Sequence, residues 1–597
     1  MSEQAVEGTE PRKISASDFV KHVVPIIANV ENVVKSGVRD SNKLNELVNK
    51  AIGEIKKQAK KLEVTEEDIK TRGTVMMRHV YEEFKDSPAV VEDLRRGVVN
   101  RLETMMVTRV LSAVLEPELE PHARELADVL VDAHRRGGLE AAADAAYEYF
   151  KRAKYGAKRL VDYLFTEAPE SLQDAPRTMQ KFSRTALETC PGADVCAAQC
   201  YALHGNYVQL QVKRSIAARD VFVNLLKRKL LERLNSDAAL AAGLLGAAFA
   251  GGVRAAGFGE IVRLHDAGDF SDEKYLAAWL AAARLLPDRK IYTYTKTFPN
   301  VKGMPPVWQN AVKLYGALFG EPLPQNFNVN ISATATNYKH IKDAAEALTR
   351  LGVRVPGVFF YASANMDEYY KDKDGKEREE RWRELAEALV EAARRTAGKK
   401  LVLEFEHGLG ARRSAKSSQN IVRVVKEVAG YAERAGIPMR ISVPETAYAA
   451  GAKLGKEAKA SLEAIGDPYL RSAEVLLDRD KVKALSEVAD LLTGKGYRYD
   501  KDVEGVWSKK IEGIEFRFER PVKVFGTPGA GEPVEVFIEP GGEKVCTLCQ
   551  RCVFAEHSPL KKESFKIRIA RDAGAQLVET PPPQRRRAGR RKKAVAA

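Results

Sequence analysis

The stretch Glu260-Ile261-Val262-Arg263-Leu264-His265-Asp266-Ala267-Gly268-Asp269-Phe270 decides the fold. Residues 260–264 are β-branched and apolar enough to predict a strand. The run then stops on two carboxylates and a glycine. Residues 273–286 follow with helical spacing of apolar positions. A strand, a polar end and a helix make one β/α unit, and the unit recurs. Strands are predicted over 290–295, 327–332, 357–362, 400–406 and 439–443, with helices over 341–351, 381–395 and 419–435 between them. Repeated β-then-α units imply parallel strands with helical crossovers. The expectation is an α/β fold with a full or partial (β/α) barrel; an open doubly wound sheet is the alternative.

Working outward, residues 1–165 read as an all-α domain. Ser15 or Ser17 can cap a helix with Phe19, Val23, Ile26, Val30 and Val34 on its apolar face. Thr65 with Asp68 is a capping signal, Pro117 and Pro121 predict a turn, and Gly137-Gly138 predicts another. The barrel-like domain is assigned to 166–480. A small mixed β, cysteine-containing region spans 481–575, with strands over 514–518 and 534–538 expected to flank a Gly/Pro-rich turn as a hairpin. Residues 576–597 form a basic tail expected to be disordered.

In a barrel, functional groups gather at the C-terminal ends of the strands. Asp266, Gly268 and Asp269 end the first strand, where acids can hold a cation or ammonium group and glycine lets backbone approach a ligand. Lys296 ends the next and can meet a carboxylate or phosphate. Ser332 belongs to a row of small hydroxyl and amide groups, Asn328 to Thr334. Glu404-Phe405-Glu406-His407 and Ser442 to Thr446 close two later strands. Each alone reads as a helix cap or solvated loop; their recurrence suggests a shared pocket.

All six cysteines fall in two triplets: Cys190, Cys196 and Cys200 within eleven residues, and Cys546, Cys549 and Cys552. Packing cysteines would scatter along the chain. Thiolates cluster to grip a soft metal or an iron–sulfur cluster. The first triplet fits a [4Fe–4S] cluster with one open iron, which S-adenosylmethionine can fill, or a zinc site completed by His204. The order of cysteine loop before Gly-Asp strand end is that of a radical S-adenosylmethionine enzyme. The usual spacing there is C-x3-C-x2-C, against C-x5-C-x3-C here. The second triplet reads as an auxiliary iron–sulfur cluster, or as zinc completed by His557.

Cys190-Pro191-Gly192-Ala193 through Cys200-Tyr201-Ala202, then Gly268-Asp269-Phe270 with Tyr275 and Trp279, then Tyr294-Thr295-Lys296, resembles the phage gene product 88 family. The resemblance covers about residues 179–340 and 540–555, the latter through a terminal Cys-x-x-Cys-x-x-Cys element. It implies a cluster-binding fold distantly similar to radical S-adenosylmethionine barrels. Cys190, Cys196 and Cys200 would hold the cluster, Asp266, Gly268 and Asp269 the methionine end of the cofactor, and Lys296 and Ser332 would be secondary contacts.

The formal net charge is +14, and seven positive charges lie between Arg585 and Lys593. Such a tail can attract nucleic acid without reading sequence. Two zinc knuckles and this tail define the alternative function, a nucleic-acid-binding protein without catalysis. The radical reading requires an electron donor as partner. No apolar run of about 18 residues is evident, and the polar, acidic start does not read as a secretory signal. A soluble cytoplasmic protein with no membrane partner is expected.

Overall fold

The computed structural model describes residues 13–38, 41–165, 179–203, 205–257, 261–320, 322–405, 411–437 and 439–444, with short strands between 498 and 567. Described residues up to Val402 belong to one compact unit, and those from Leu403 onward to a second.

The first unit opens with α1 (Ala16–Lys35), α2 (Ser41–Ala59), α3 (Glu66–Arg72), α4 (Val75–Phe84) and the long α5 (Pro88–Arg152). Ser15 caps α1 by accepting the Asp18 N–H at 3.1 Å. Its buried stripe is Phe19, Val23, Ile27 and Val30, with Ile27 rather than Ile26 turned inward. Thr65 and Asp68 form a reciprocal capping box on α3. The chain breaks helical geometry at Gly137 and Gly138, as expected. It does not turn at Pro117 and Pro121: α5 runs through both. Each proline removes one helical hydrogen bond, but Leu115 and Leu119 stay fully buried, so packing outweighs the local preference.

The hairpin β1 (Lys154–Tyr155) and β2 (Lys158–Arg159) leads to α6 (Leu160–Leu164). Then come β3 (Met179–Phe182), the cysteine loop, α7 (Leu210–Arg233) and α8 (Ala238–Ala256). The repeating part follows: β4 (Ile261–Leu264), α9 (Glu273–Leu285), β5 (Lys290–Thr295), α10 (Val307–Phe319), β6 (Phe327–Ala333), α11 (Tyr338–Arg350), β7 (Gly357–Ala362), α12 (Met366–Tyr369), α13 (Glu379–Arg394) and β8 (Lys400–Phe405). The six strands lie side by side in sequence order. The pairs from β3 to β7 are all parallel. A doubly wound sheet reverses its order at a switch point; none occurs from β3 to β8. This is the serial order of a barrel wall, without a closed ring among the described strands.

Right-handed crossovers in serial order put the helices on one face. That face is apolar: Val262, Leu264, Ile291, Phe327, Val329, Ile331, Val358 and Phe360 are buried. Phe182 meets Trp279 of α9 edge-on at 5.2 Å. The opposite face is polar and aromatic. In register across β3 to β6 lie Lys181, Arg263, Tyr292 and Asn328; Tyr294 pairs with Asn330 and Ser332 with Phe359. A sheet with one dry and one polar face is what a barrel wall presents outward and inward.

One expectation fails at α8. By length and composition it is apolar enough to cross a membrane, with 78% of that window buried inside the protein. Small residues allow its burial: a Cβ on Gly251 would sit 2.6 Å from the Tyr147 nitrogen, and one on Gly246 2.6 Å from the Ala278 oxygen. It is a core helix packed against α5 and α9.

In the second unit α14 (Ala411–Ala435) precedes β9 (Met439–Pro444), which pairs in parallel with a strand at Glu535–Glu539. The Ile514–Glu519 strand pairs antiparallel with Trp507–Ile511 and Lys566–Ile567. The expected hairpin between 514–518 and 534–538 is therefore not formed; each strand has found a different partner. Cys546, Cys549, Cys552, His557 and the basic tail lie outside the described residues.

Candidate functional site at the strand ends

The first cysteine loop lies over the C-terminal ends of β4 to β6, and its attachments explain its composition. Gly192 sits against β5: a Cβ there would fall 1.8 Å from the Lys296 carbonyl oxygen. Asp194 is fully buried. Its Oδ1 accepts the Cys196 N–H at 2.9 Å, and its Oδ2 accepts the Thr334 hydroxyl at 2.5 Å, just beyond β6. The other side is held by the helical region. Asn100 Nδ2 donates to the Ala197 carbonyl at 2.9 Å, Thr74 Oγ1 donates to the Ala193 carbonyl, and Gln199 Nε2 donates to Asp93 Oδ2 at 3.1 Å. Asp93 also accepts from Asn365 Nδ2 at 3.1 Å and from the Tyr369 hydroxyl. The region that reads in sequence as a separate α domain thus braces the loop.

Cys190, Cys196 and Cys200 are half-buried residues with free thiols. Dense surroundings push all three thiols up, Cys196 to about 12; Cys190 senses both of the others and Cys196 senses Cys200. Lys296 counters this: its ammonium bonds Cys196 and is held up by Cys196, Asp194 and Cys200 against the cost of burial. Backbone groups of Ala202 and Leu203 bond the Cys200 sulfur, and that of Leu187 bonds Cys190. His204 lies outside the described residues. Among the described residues no three His, Cys, Asp or Glu side chains close on a single ion.

The two acids predicted beside the loop have different surroundings. Asp269 is buried and fully engaged. Its Oδ1 accepts the Phe270 N–H at 2.7 Å and the Thr295 hydroxyl at 2.9 Å; its Oδ2 accepts the N–H groups of Lys296 at 2.8 Å and Thr297 at 3.1 Å. Burial raises its pKa although all four donors pull it down. The carboxylate staples the ends of β4 and β5 together beneath Cys190, whose thiol it helps to raise. Gly268, at φ +87°, has no room for a Cβ, which would meet Arg184 Cβ and Thr189 Oγ1 at 2.7 Å. The close approach that glycine permits is to protein. Below it the buried Arg184 pairs with Asp220, and neutral His265 bridges Thr293 Oγ1 at 3.2 Å and the Tyr275 hydroxyl at 3.1 Å.

Asp266 faces the polar side of the sheet. It pairs with Arg263 at 2.9 Å and Lys181 at 3.5 Å and accepts the Tyr207 hydroxyl at 2.5 Å. Burial works to raise its pKa, but these partners outweigh it and hold the carboxyl well below its ordinary 3.8. A depressed folded pKa stabilises above the unfolded value and is lost as pH falls through the folded one. Asp266→Asn is therefore expected to shrink the stability difference between about pH 5 and about pH 3, read from urea unfolding at each pH. An unchanged difference would remove Asp266 as an anchor of this face. Ser332, on the same face, is half-buried. Sequence reasoning missed Lys181, Tyr207 and Asp194; only Asp194, inside the cysteine run, carried a readable signal.

Residues 153–403 match the model of the Gene product 88 family. The match starts before and ends after the expected 179–340, and it leaves out the second cysteine triplet. No curated protein and no solved structure matches the chain. The similarity is thus to gene product 88 proteins over this segment; none of the comparisons links it to radical S-adenosylmethionine barrels.

Proposed function

We propose that the chain is a radical S-adenosylmethionine-type iron–sulfur enzyme with a [4Fe–4S] cluster on Cys190, Cys196 and Cys200. The observation that carries this reading is the gathering of three thiols and Lys296 at the C-terminal ends of serial parallel strands. Three soft donors within electrostatic reach of one another, bonded by backbone groups, suit a thiolate-held cluster. When bound, that cluster supplies one-electron reduction of S-adenosylmethionine and so a carbon radical that takes hydrogen from a substrate.

The chain's own residues hold and tune. Gly192 and Asp194 seat the loop on β5 and β6; Asn100 and Asp93 seat it on α5. Lys296 offers the fixed cation that a cofactor carboxylate requires. Asp269 acts through position, since both its oxygens are occupied by protein donors, and Asp266, tied to Arg263, Lys181 and Tyr207, orders the polar face beside the loop. A second cluster or zinc on Cys546, Cys549 and Cys552 and an electron donor complete the proposal.

Anaerobically purified protein should be brown, with iron and labile sulfide that fall to background in Cys196→Ala. It should also cleave S-adenosylmethionine under strong reductant. Colourless protein with stoichiometric zinc at both triplets would instead favour the nucleic-acid-binding alternative. Iron without cleavage would leave electron transfer or structure as the role.

A further inference from the structure

The polar face of the sheet has a composition that the cluster does not use. Its components lie in a fixed order, set by the parallel registers. Lys181 and Arg263 come first, on β3 and β4. They share one carboxylate, Asp266, at 3.5 and 2.9 Å. Tyr292 and Tyr294 come next on β5. The Arg263 guanidinium lies 5.9 Å from the Tyr294 ring centre, and Phe359 meets that ring edge-on at 5.0 Å. Asn328 comes last on β6, opposite Tyr292. It is 2% exposed, and its Oδ1 has no hydrogen-bond partner among the described residues.

A buried amide oxygen left without a donor is costly and rare in a finished core. It is accounted for if a ligand brings the donor. We propose that this face binds a nucleoside 5′-monophosphate moiety. The phosphate meets Lys181 and Arg263, since a guanidinium matches phosphate geometry with paired N–H groups. The base lies against the Tyr294 ring, as bases stack on aromatic side chains in nucleotide sites. An amine or ring N–H of the base donates to Asn328 Oδ1, the pairing that asparagine makes with base edges. From β4 to β6 is two strand spacings, about 10 Å, the scale that separates a base edge from its 5′-phosphate. Lys296 follows Tyr294 by two residues, just past the end of β5, which brings the bound molecule toward the cysteine loop. Its role as substrate rests on the function proposed above; its binding does not.

The test is calorimetric titration of the full-length protein at one fixed salt concentration. The probes are AMP, CMP, adenosine, inorganic phosphate, S-adenosylmethionine and a short single-stranded oligonucleotide. One nucleotide is expected per chain, with adenosine and phosphate each much weaker. Arg263→Gln and Asn328→Leu should each weaken binding about tenfold or more, the effect of losing a charge-assisted or buried hydrogen bond. Asn328→Leu should also narrow the difference between AMP and CMP. Tyr294→Leu should lose affinity while Tyr294→Phe keeps it, a pair that separates stacking from misfolding. The inference is overturned if wild-type protein binds no nucleotide, or if the variants bind as well as wild type. It is also overturned if only the oligonucleotide binds, or if S-adenosylmethionine displaces the nucleotide one for one, which would make this face the cofactor seat. Iron-free protein that binds nucleotide as expected defeats the enzyme reading alone. Cluster-bearing protein that binds none defeats this inference alone.

Discussion

Asp269→Ala is expected to destabilise the first unit by on the order of 4 kcal/mol. The carboxylate is 5% exposed and accepts two backbone N–H groups from beyond β5, one from its own turn and the Thr295 hydroxyl. Alanine would leave three buried donors with nothing to meet, the Thr297 N–H keeping its second acceptor in Thr295 Oγ1 at 3.0 Å, and each unsatisfied donor costs about 1–3 kcal/mol before relaxation and water entry reduce the sum. Asp269→Asn keeps the shape and one acceptor oxygen but turns an amine toward donors, so an intermediate loss is expected. Trp308 reports on the same node, because its indole N–H donates to the Thr297 carbonyl at 2.7 Å. Urea unfolding followed by tryptophan fluorescence should show the transition move to lower urea for both variants, alanine further. A shift within experimental error for Asp269→Ala would show that the staple contributes nothing and that the acid is free for a ligand.

The fold was legible where period and length agreed. The strands at β5 and β7 were readable to the residue because β-branched and aromatic runs ended on Gly, Pro or Lys. The strand β3 was not, since Met179-Gln180-Lys181-Phe182 is short and half polar. Its lysine points to the polar face and its Gln180 donates to the Phe165 carbonyl at 2.9 Å, so its place is set by tertiary partners that a local pattern does not contain. α8 misled for the opposite reason: it is apolar on every side because it is enclosed on every side. At the site, the cysteines and the Asp-Gly-Asp turn were visible as residue types. Which partners each acid takes was not. That depends on the backbone N–H groups of Lys296 and Thr297 for Asp269, and on Lys181 and Tyr207, far away in sequence, for Asp266.

The largest expected effect on the cysteine loop comes from a residue with no side chain. In Gly192→Ala the new methyl would lie 1.8 Å from the Lys296 carbonyl oxygen and 2.2 Å from its carbon, far inside van der Waals contact with rigid backbone. Neither partner yields easily. Lys296 is pinned through its N–H to Asp269, and the loop is pinned through Asp194 to Thr334 and through Asn100 and Gln199 to the α5 side. The loop must therefore lift from β5, carrying Cys196 and Cys200 away from Lys296. Iron and sulfide content should fall nearly as far as in Cys196→Ala, although all six cysteines remain. Stability should fall less than in Asp269→Ala, because the strand-end staple under the loop is untouched. The distinguishing comparison is Gly192→Ala beside Pro191→Ala, which changes the neighbouring residue without adding bulk against β5. If both variants keep full iron, docking on Lys296 is not what shapes the site. If only Gly192→Ala loses it, the Cys-Pro-Gly and Tyr-Thr-Lys segments, about a hundred residues apart in the sequence, are two halves of one contact.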